Sequence, residues 1–227
     1  MSKLNYADEL SDIPTKKPKT LGYYLNNEPF RSGDAEYWCQ LIRLVKPKRI
    51  FEAGSGNSTL MGIRAIRKNT EGDPLYHCKH VCIEPYEMPW LEETGVTVLR
   101  KKIEDVDIGC FSELEENDIL FIDSSHIIRP QGDVLFEYLE LLPTLRKGLI
   151  FHVHDIFSPK NYLKQWVEGE IKFWNEQLEA FLSHNSSCKI LCSLNYLHHH
   201  YYSELKTVAQ YLTPNREPGS FYIQKIA

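Results

Sequence analysis

Between residues 48 and 155 the chain repeats one pattern. A short run of apolar residues stops at a polar break, and a stretch with apolar positions at helical spacing follows. The runs are KRIFEA (48–53), HVCIE (80–84), VTVLR (96–100), DILFID (118–123) and GLIFHVHD (148–155). Strands this apolar have no side to give to water, so they belong in a parallel sheet covered by helices on both faces. Helices are expected over about 58–68 and 133–145, with a shorter one between the second and third strands. Before the first strand, AEYWCQLIRLV sets Tyr37, Trp38, Leu41, Ile42 and Val45 on one stripe, with Asp34 as the expected N-cap. After the fifth, residues 162–185 read as a long amphipathic helix, and CKILCSL (188–194) and SFYIQKI (220–226) as two more strands. Residues 1–33 are polar and proline-punctuated, an expected arm or lid before a single α/β domain over 34–227. The polar, aromatic-rich stretch 195–219 reads as a second lid, with the histidines at 198–200 in a solvated loop.

A formal charge of −5 and a pI near 6.0 argue against nucleic acid as a partner, since phosphate binding needs a basic face. The KKPK run at 16–19 is too short to supply one. No apolar run reaches membrane-spanning length and the first residues lack the apolar core of a secretory signal, so a cytoplasmic protein without membrane contact is expected. The six cysteines then read as small buried hydrophobes rather than bridges or zinc ligands.

In an open parallel sheet, ligands bind beyond the carboxyl ends of the strands. Four of those ends carry a carboxylate here: Glu52, Glu84, Asp123 and Asp155. After Glu52 the sequence turns abruptly small and polar, GSGNST over 54–59. Gly54 and Gly56 let backbone approach a ligand closely, and a helix starting near Ser58 aims its N–H groups at it. No lysine follows the glycines, which excludes a P-loop, and Thr59 breaks the dinucleotide fingerprint at its last position. Glu52 would repel a pyrophosphate. It suits instead a phosphate-free ligand with a cationic amino-acid group, as in S-adenosylmethionine. Glu84, about thirty residues on at the next strand end, is placed to accept both hydroxyls of a ribose.

With EAGSGNST, IEPY, DILFIDSSH and HVHDIF the chain resembles class I S-adenosylmethionine-dependent methyltransferases, and more narrowly a bacterial group of small proteins carrying these motifs. The similarity covers roughly residues 27–226. It implies a Rossmann-like, seven-stranded, mostly parallel sheet in order 3-2-1-4-5-7-6 with the last strand antiparallel. It also implies cofactor contacts at Glu52, Gly54, Ser55, Gly56, Ser58, Glu84, Tyr86 and Asp123, with an adenine pocket near Glu104.

DSSH (123–126) and HVHD (152–155) add three histidines to the carboxylates at one sheet edge. Strand alternation points His152 and His154 to one side, His154 nearer the rim, and leaves His152 to the core. Two chemistries fit. His154 or His126 acts as general base on an acceptor hydroxyl, with Asp155 beside it, while the hydroxyl attacks a sulfonium methyl. Alternatively Asp123, His154 and Asp155 hold a divalent metal that acidifies the hydroxyl; metal-dependent O-methyltransferases resemble this, though they carry a carboxylate or amide where His154 stands. The expected function is O-methylation of a small molecule or sugar. The competing classes are a metal-dependent hydrolase or oxygenase built on the HVHD histidines, and a non-catalytic protein that keeps the cleft as a binding surface.

Overall fold

The computed structural model describes residues 4–86, 88–159, 162–169 and 186–227. Seven strands form one sheet: β1 (Arg49–Ala53), β2 (Lys79–Ile83), β3 (Thr97–Leu99), β4 (Ile119–Ile122), β5 (Ile150–Val153), β6 (Cys188–Ser193) and β7 (Phe221–Lys225). Their spatial order is β3-β2-β1-β4-β5-β7-β6, as the resemblance implies. β7 runs antiparallel to both neighbours, and the pairs from β3 to β5 are parallel.

Strand alternation sorts the core into two layers. Ile50, Ile119, Phe121 and Tyr222 pack under α1 (Asp34–Val45) and α2 (Asn57–Gly72), while Phe51, Leu120, Phe151 and Ile223 face the 3₁₀ turns of 103–113 and the helix over 133–144. Trp38 on α1 is fully buried and its indole N–H donates to Ser58 O at 3.1 Å, tying the first helix to the start of the second. Leu10, Ile13, Tyr23, Leu25 and Phe30 of the N-terminal arm are buried in the same layer.

Three local expectations change. Asp34 does not cap α1: Gly33, at φ +92°, is the capping residue, and Glu36 accepts its N–H at 3.0 Å. The helix over 133–144 is α-helical only at its ends (Asp133–Leu135 and Leu142–Thr144) and widens to a π segment, Phe136–Leu141, between them. Pro143 lacks the N–H that an α-turn would use and its ring crowds the carbonyl four residues back, which the wider turn relieves. The stretch after β6 is helical at Leu194–His200 and Tyr202–Lys206, not a solvated lid. Leu205, Val208, Ala209 and Leu212 are buried against the α1 layer, and their spacing turns one side of this polar-looking segment inward. Most of the helix expected over 162–185 lies outside the described residues; Lys164–Glu168 is helical.

All six cysteines are free, and Cys110 is exposed where a buried position was expected. No helix among the described residues is long and apolar enough to cross a membrane.

Candidate functional site

β1, β2 and β4 end level with one another, and backbone bonds stitch the turns after them: Gly54 N–H donates to Ile83 O (3.2 Å) and Asp123 N–H to Ala53 O (2.8 Å). Gly54 sits at φ +79°, and a Cβ there would lie 2.0 Å from Asp123 O. Only glycine lets the first turn lie on the fourth strand. A Cβ on Gly56 meets nothing within 4 Å, so this second glycine leaves open space in front of α2.

A cavity of about 270 Å³ opens above these turns, between Gly54, Ser55, Glu84, Tyr86, Ile103 and Asp123. Glu84 is 4% exposed, and its two oxygens accept from Ser55 N–H and Tyr86 N–H, both at 3.0 Å. One carboxylate thus holds the loops after β1 and β2 together and forms part of the cavity wall. Tyr86 stands exposed at the rim.

Six residues of the cavity wall carry no signal that the strand-end rule alone would detect: Lys102, Ile103, Ser124, Ser125, Arg129 and Asp133. Asp133 accepts from Ser125 N–H and Oγ, both at 2.7 Å, which shapes the turn after β4, and burial opposes while those bonds hold its carboxyl below the usual value. Glu104 stands close by but is tied to Arg129 at 3.2 Å. The serines could have been noticed inside DSSH; Asp133 opens the following helix and looks like an ordinary helix start.

Glu52 and Ser58 lie elsewhere. Alternation sends Glu52 to the α1/α2 side of the sheet, where it is fully buried. Its oxygens accept from Ser58 Oγ and Thr59 Oγ1 (2.8 Å), with His80 Nε2 at 2.9 Å. A carboxylate saturated in this way turns away from the cavity, and neither Glu52 nor Ser58, both expected at the ligand, is among the residues lining it.

A second cavity, about 260 Å³, opens on the other side of Asp123, between His154, Asp155, Phe157, Trp166 and Arg216. Asp123 lines both cavities. Around it the predicted residues converge. His126 Nε2 is 3.0 Å from Asp123 Oδ1 and 3.6 Å from Asp155 Oδ2; His154 Nδ1 is 3.3 Å from Asp155 Oδ1 and 3.6 Å from Asp123 Oδ1. His126 (φ +60°) and Asp155 (φ +61°) both occupy the left-handed region, strain of the kind held at ligand sites.

Burial pulls the imidazole pKa of His154 down, but the carboxylates of Asp155 and Asp123 outweigh it and set it well above the ordinary value; His126 is raised by Asp123 in the same way. Burial would raise Asp123, but the two imidazoles hold it low.

His152, by contrast, is fully buried, stacked on Phe121 at 3.9 Å between ring centres, and burial drives its pKa well down. That agrees with a core histidine and removes one histidine from any hydrolase or oxygenase site built on HVHD. At this centre the ligand atoms that all lie within 4.8 Å of one another belong to Asp123, His126 and Asp155; among the described residues Glu52, His80 and Cys82, and His198, His199 and Glu217, form two more such groups. His198 and His199 lie away from this centre, His199 bonded to Glu217 at 2.7 Å.

Residues 51–156 match the methyltransferase domain family. A curated, uncharacterized protein of Archaeoglobus fulgidus is 32% identical over 122 residues, 51% of this chain and 53% of that protein, so the chain spans about half the length of this relative. Among solved structures, an O-methyltransferase of Bacillus cereus in complex with SAH aligns over 100% of this chain and 99% of its own, at TM-score 0.54 and 13% identity. TomG, an O-methyltransferase of Streptomyces achromogenes in complex with SAM, aligns over 85% and 79% at TM-score 0.50 and 16% identity. At these identities the structures speak for the fold. Residues 51–156 thus match the methyltransferase domain on a sheet ordered 3-2-1-4-5-7-6, the Rossmann-like methyltransferase arrangement.

Proposed function

We propose that the chain transfers the methyl group of S-adenosylmethionine to a hydroxyl oxygen of a small-molecule or sugar acceptor. One observation carries the reading: Asp123 is a wall of both cavities, so a donor held over β1 and β2 and an acceptor held beyond β5 meet at one carboxylate. Glu84 takes the ribose hydroxyls, the turn at Gly54–Gly56 takes the amino-acid part, and Asp123 lies where positive charge needs a partner. In the transfer, an oxygen lone pair attacks the methyl carbon, the C–S bond breaks with its electrons going to sulfur, and the hydroxyl proton passes to His154 Nδ1. Most of the acceleration comes from holding the two reactants in line.

His154 must be neutral to take that proton, and in the free protein its carboxylate neighbours favour the imidazolium. Their field is offset once a cation occupies the adjoining cavity. Donor binding thus prepares the base.

The convergence of Asp123, His126 and Asp155 favours a second reading, in which a divalent cation is held there. Two carboxylates and one imidazole suit Mn²⁺ or Zn²⁺ better than Mg²⁺, and a cation at that point would lower the pKa of an acceptor hydroxyl.

Calorimetry with S-adenosylhomocysteine, followed by acceptor screening with labelled donor, tests the reading. Binding in the micromolar range and methyl transfer that His154→Gln lowers by about 100-fold or more are expected. Absence of cofactor binding would overturn it.

A further inference from the structure

Next to the acceptor cavity lies a third one, also about 260 Å³, between Phe157, Tyr162, Lys164, Asn195, His199 and Glu217. Phe157 and Glu217 belong to the walls of both, so the two cavities adjoin along one aromatic ring and one carboxylate.

Glu217 is fixed from several sides. Its carbonyl accepts from Arg216 Nη1 at 3.0 Å, and its Oε2 accepts from Asn195 Nδ2 (2.8 Å) and His199 Nε2 (2.7 Å). Asn195 and His199 stand four apart on the helix Leu194–His200, which lets both reach the same carboxylate. Burial would raise the Glu217 carboxyl, but the bonds from His199 and Asn195 hold it below its ordinary value, so it is an anion that only accepts. What these bonds leave over is acceptor capacity. Asn195, 1% exposed, gives its Nδ2 to Glu217 and to Pro218 O (3.2 Å), two groups that cannot donate, so its amide orientation is settled and its Oδ1 has no hydrogen bond among the described residues. Glu217 Oε1 is left over in the same way.

A ligand seated here must therefore bring hydrogen-bond donors. It is also not an anion. Glu28, Asp123, Asp155 and Glu217 line the acceptor cavity, and each nearby cation is already held by a carboxylate: Arg216 by Asp34 at 3.2 Å, His154 by Asp155 at 3.3 Å and Lys164 by Glu168 at 3.5 Å. Phe157 and Tyr162 in the third cavity, with Trp166 packed against both rings, offer aromatic surface to C–H groups. An uncharged ring that is rich in hydroxyls at its edge and covered by C–H on its faces meets all of these demands.

We propose that the third cavity is the subsite for the sugar ring next to the one that is methylated, so that the acceptor is an uncharged glycoside of at least two rings. This rests on the transfer reading and extends it. The first ring presents its hydroxyl in the cavity of Asp123 and Asp155, and the second gives hydroxyls to Glu217 Oε1 and Asn195 Oδ1 against Phe157 and Tyr162.

The test is a panel of acceptors with labelled S-adenosylmethionine: methyl glycosides of disaccharides and of their component monosaccharides, the same sugars as phosphates, and catechols. With the wild-type chain, the best disaccharide should exceed the best monosaccharide in kcat/KM by about tenfold or more, and a phosphate should abolish that gain. Glu217→Gln keeps an oxygen for Asn195 and His199 and puts an NH₂ where Oε1 accepts. It should raise KM for the disaccharide by about tenfold or more, with kcat, KM for the monosaccharide and the Kd of S-adenosylhomocysteine all within about threefold of wild type. A wild-type chain that prefers a catechol or a phosphorylated sugar, or uses monosaccharides as well as disaccharides, would overturn the proposal whether or not the variant folds, and would leave methyl transfer standing. An equal rise in both KM values would overturn it too, since Glu217 would then serve the first ring alone. Binding of S-adenosylhomocysteine with no transfer to any member of the panel would remove the transfer reading and this subsite with it.

Discussion

Glu84→Gln tests the donor cavity with the least disturbance of shape. In the native protein both carboxylate oxygens already accept a backbone N–H, from Ser55 and from Tyr86, each at 3.0 Å. An amide offers one oxygen, so one of those N–H groups would face an NH₂, and the charge that strengthens bonds to ribose hydroxyls is lost. Bonds to a charged acceptor are worth roughly 1.5–3 kcal/mol each, so losing two from the complex costs about 3–6 kcal/mol, or a Kd weakened by about 10²–10⁴. The effect is readable by thermal shift. S-adenosylhomocysteine at 100 times its wild-type Kd stabilises the folded state by about 2.7 kcal/mol. For a chain of 227 residues, at about 2–4 °C per kcal/mol, that is a rise of about 5–11 °C. At the same ligand concentration the variant should rise by about 1 °C or less. Comparing each protein with and without ligand cancels whatever the substitution does to the unliganded fold. If Glu84→Gln keeps the wild-type shift, Glu84 does not hold the ribose and the donor does not bind over β2.

Three further outcomes follow from the same geometry. Gly54→Ala brings a Cβ to 2.0 Å from Asp123 O at φ +79°; strain and backbone clash together should cost at least about 3 kcal/mol, and a melt within 2 °C of wild type would contradict it. Burial pushes the Glu36 carboxyl up to about 7 from its ordinary 4.5, against N–H bonds from Gly33 and Tyr211. The folded state therefore binds more protons than the unfolded between those values, stability falls as pH rises through that window, and Glu36→Gln should flatten that slope in urea titrations at pH 5 and pH 7.5. With His154 as base, chelator-treated protein should keep its transfer rate within about twofold; a larger loss restored by Mn²⁺ would shift the chemistry onto Asp123, His126 and Asp155.

The strands were legible because burial on both faces leaves a signature in composition: ILFI and IFHV need covering on each side, while the order that puts β1 between β2 and β4 came from the resemblance to the methyltransferases. Glu84 and Asp123 were legible for a related reason, since each ends an apolar run on the side where a parallel sheet opens. Asp34 and Asp133 were not. Each starts a helix, a place where aspartate is ordinary, and their work depends on partners far along the chain or across a turn: Gly219 and Ser220 for one, Ser125 for the other. The helices after β6 were misread because the exposed Tyr196, His199, His200 and Tyr201 hide a one-sided apolar spacing at Leu205, Val208 and Leu212.

Glu52 marks where strand-end reasoning needs a face as well as a position. It stands one residue before the last of β1, and that single step of alternation turns it away from the cavity and under α2. There it accepts from both hydroxyls of the first helical turn, Ser58 and Thr59, and meets His80 of β2. The glycine turn is thereby clamped from beneath, while its own N–H groups at Gly54, Ser55 and Gly56 donate to Ile83 O, Glu84 and Thr59 Oγ1. A direct ligand contact and a clamp give opposite patterns in Glu52→Gln. Direct contact predicts a weaker Kd for S-adenosylhomocysteine with a nearly unchanged melt. The clamp predicts a melt lowered by about 4 °C or more, because hydroxyl or imidazole donors lose an acceptor in a fully buried place, at a cost of about 1–3 kcal/mol each. Under the clamp, the Kd measured well below the transition stays within about threefold of wild type. A wild-type melt with a hundredfold weaker Kd would return Glu52 to the ligand and mean that β1 presents its other face in the complex.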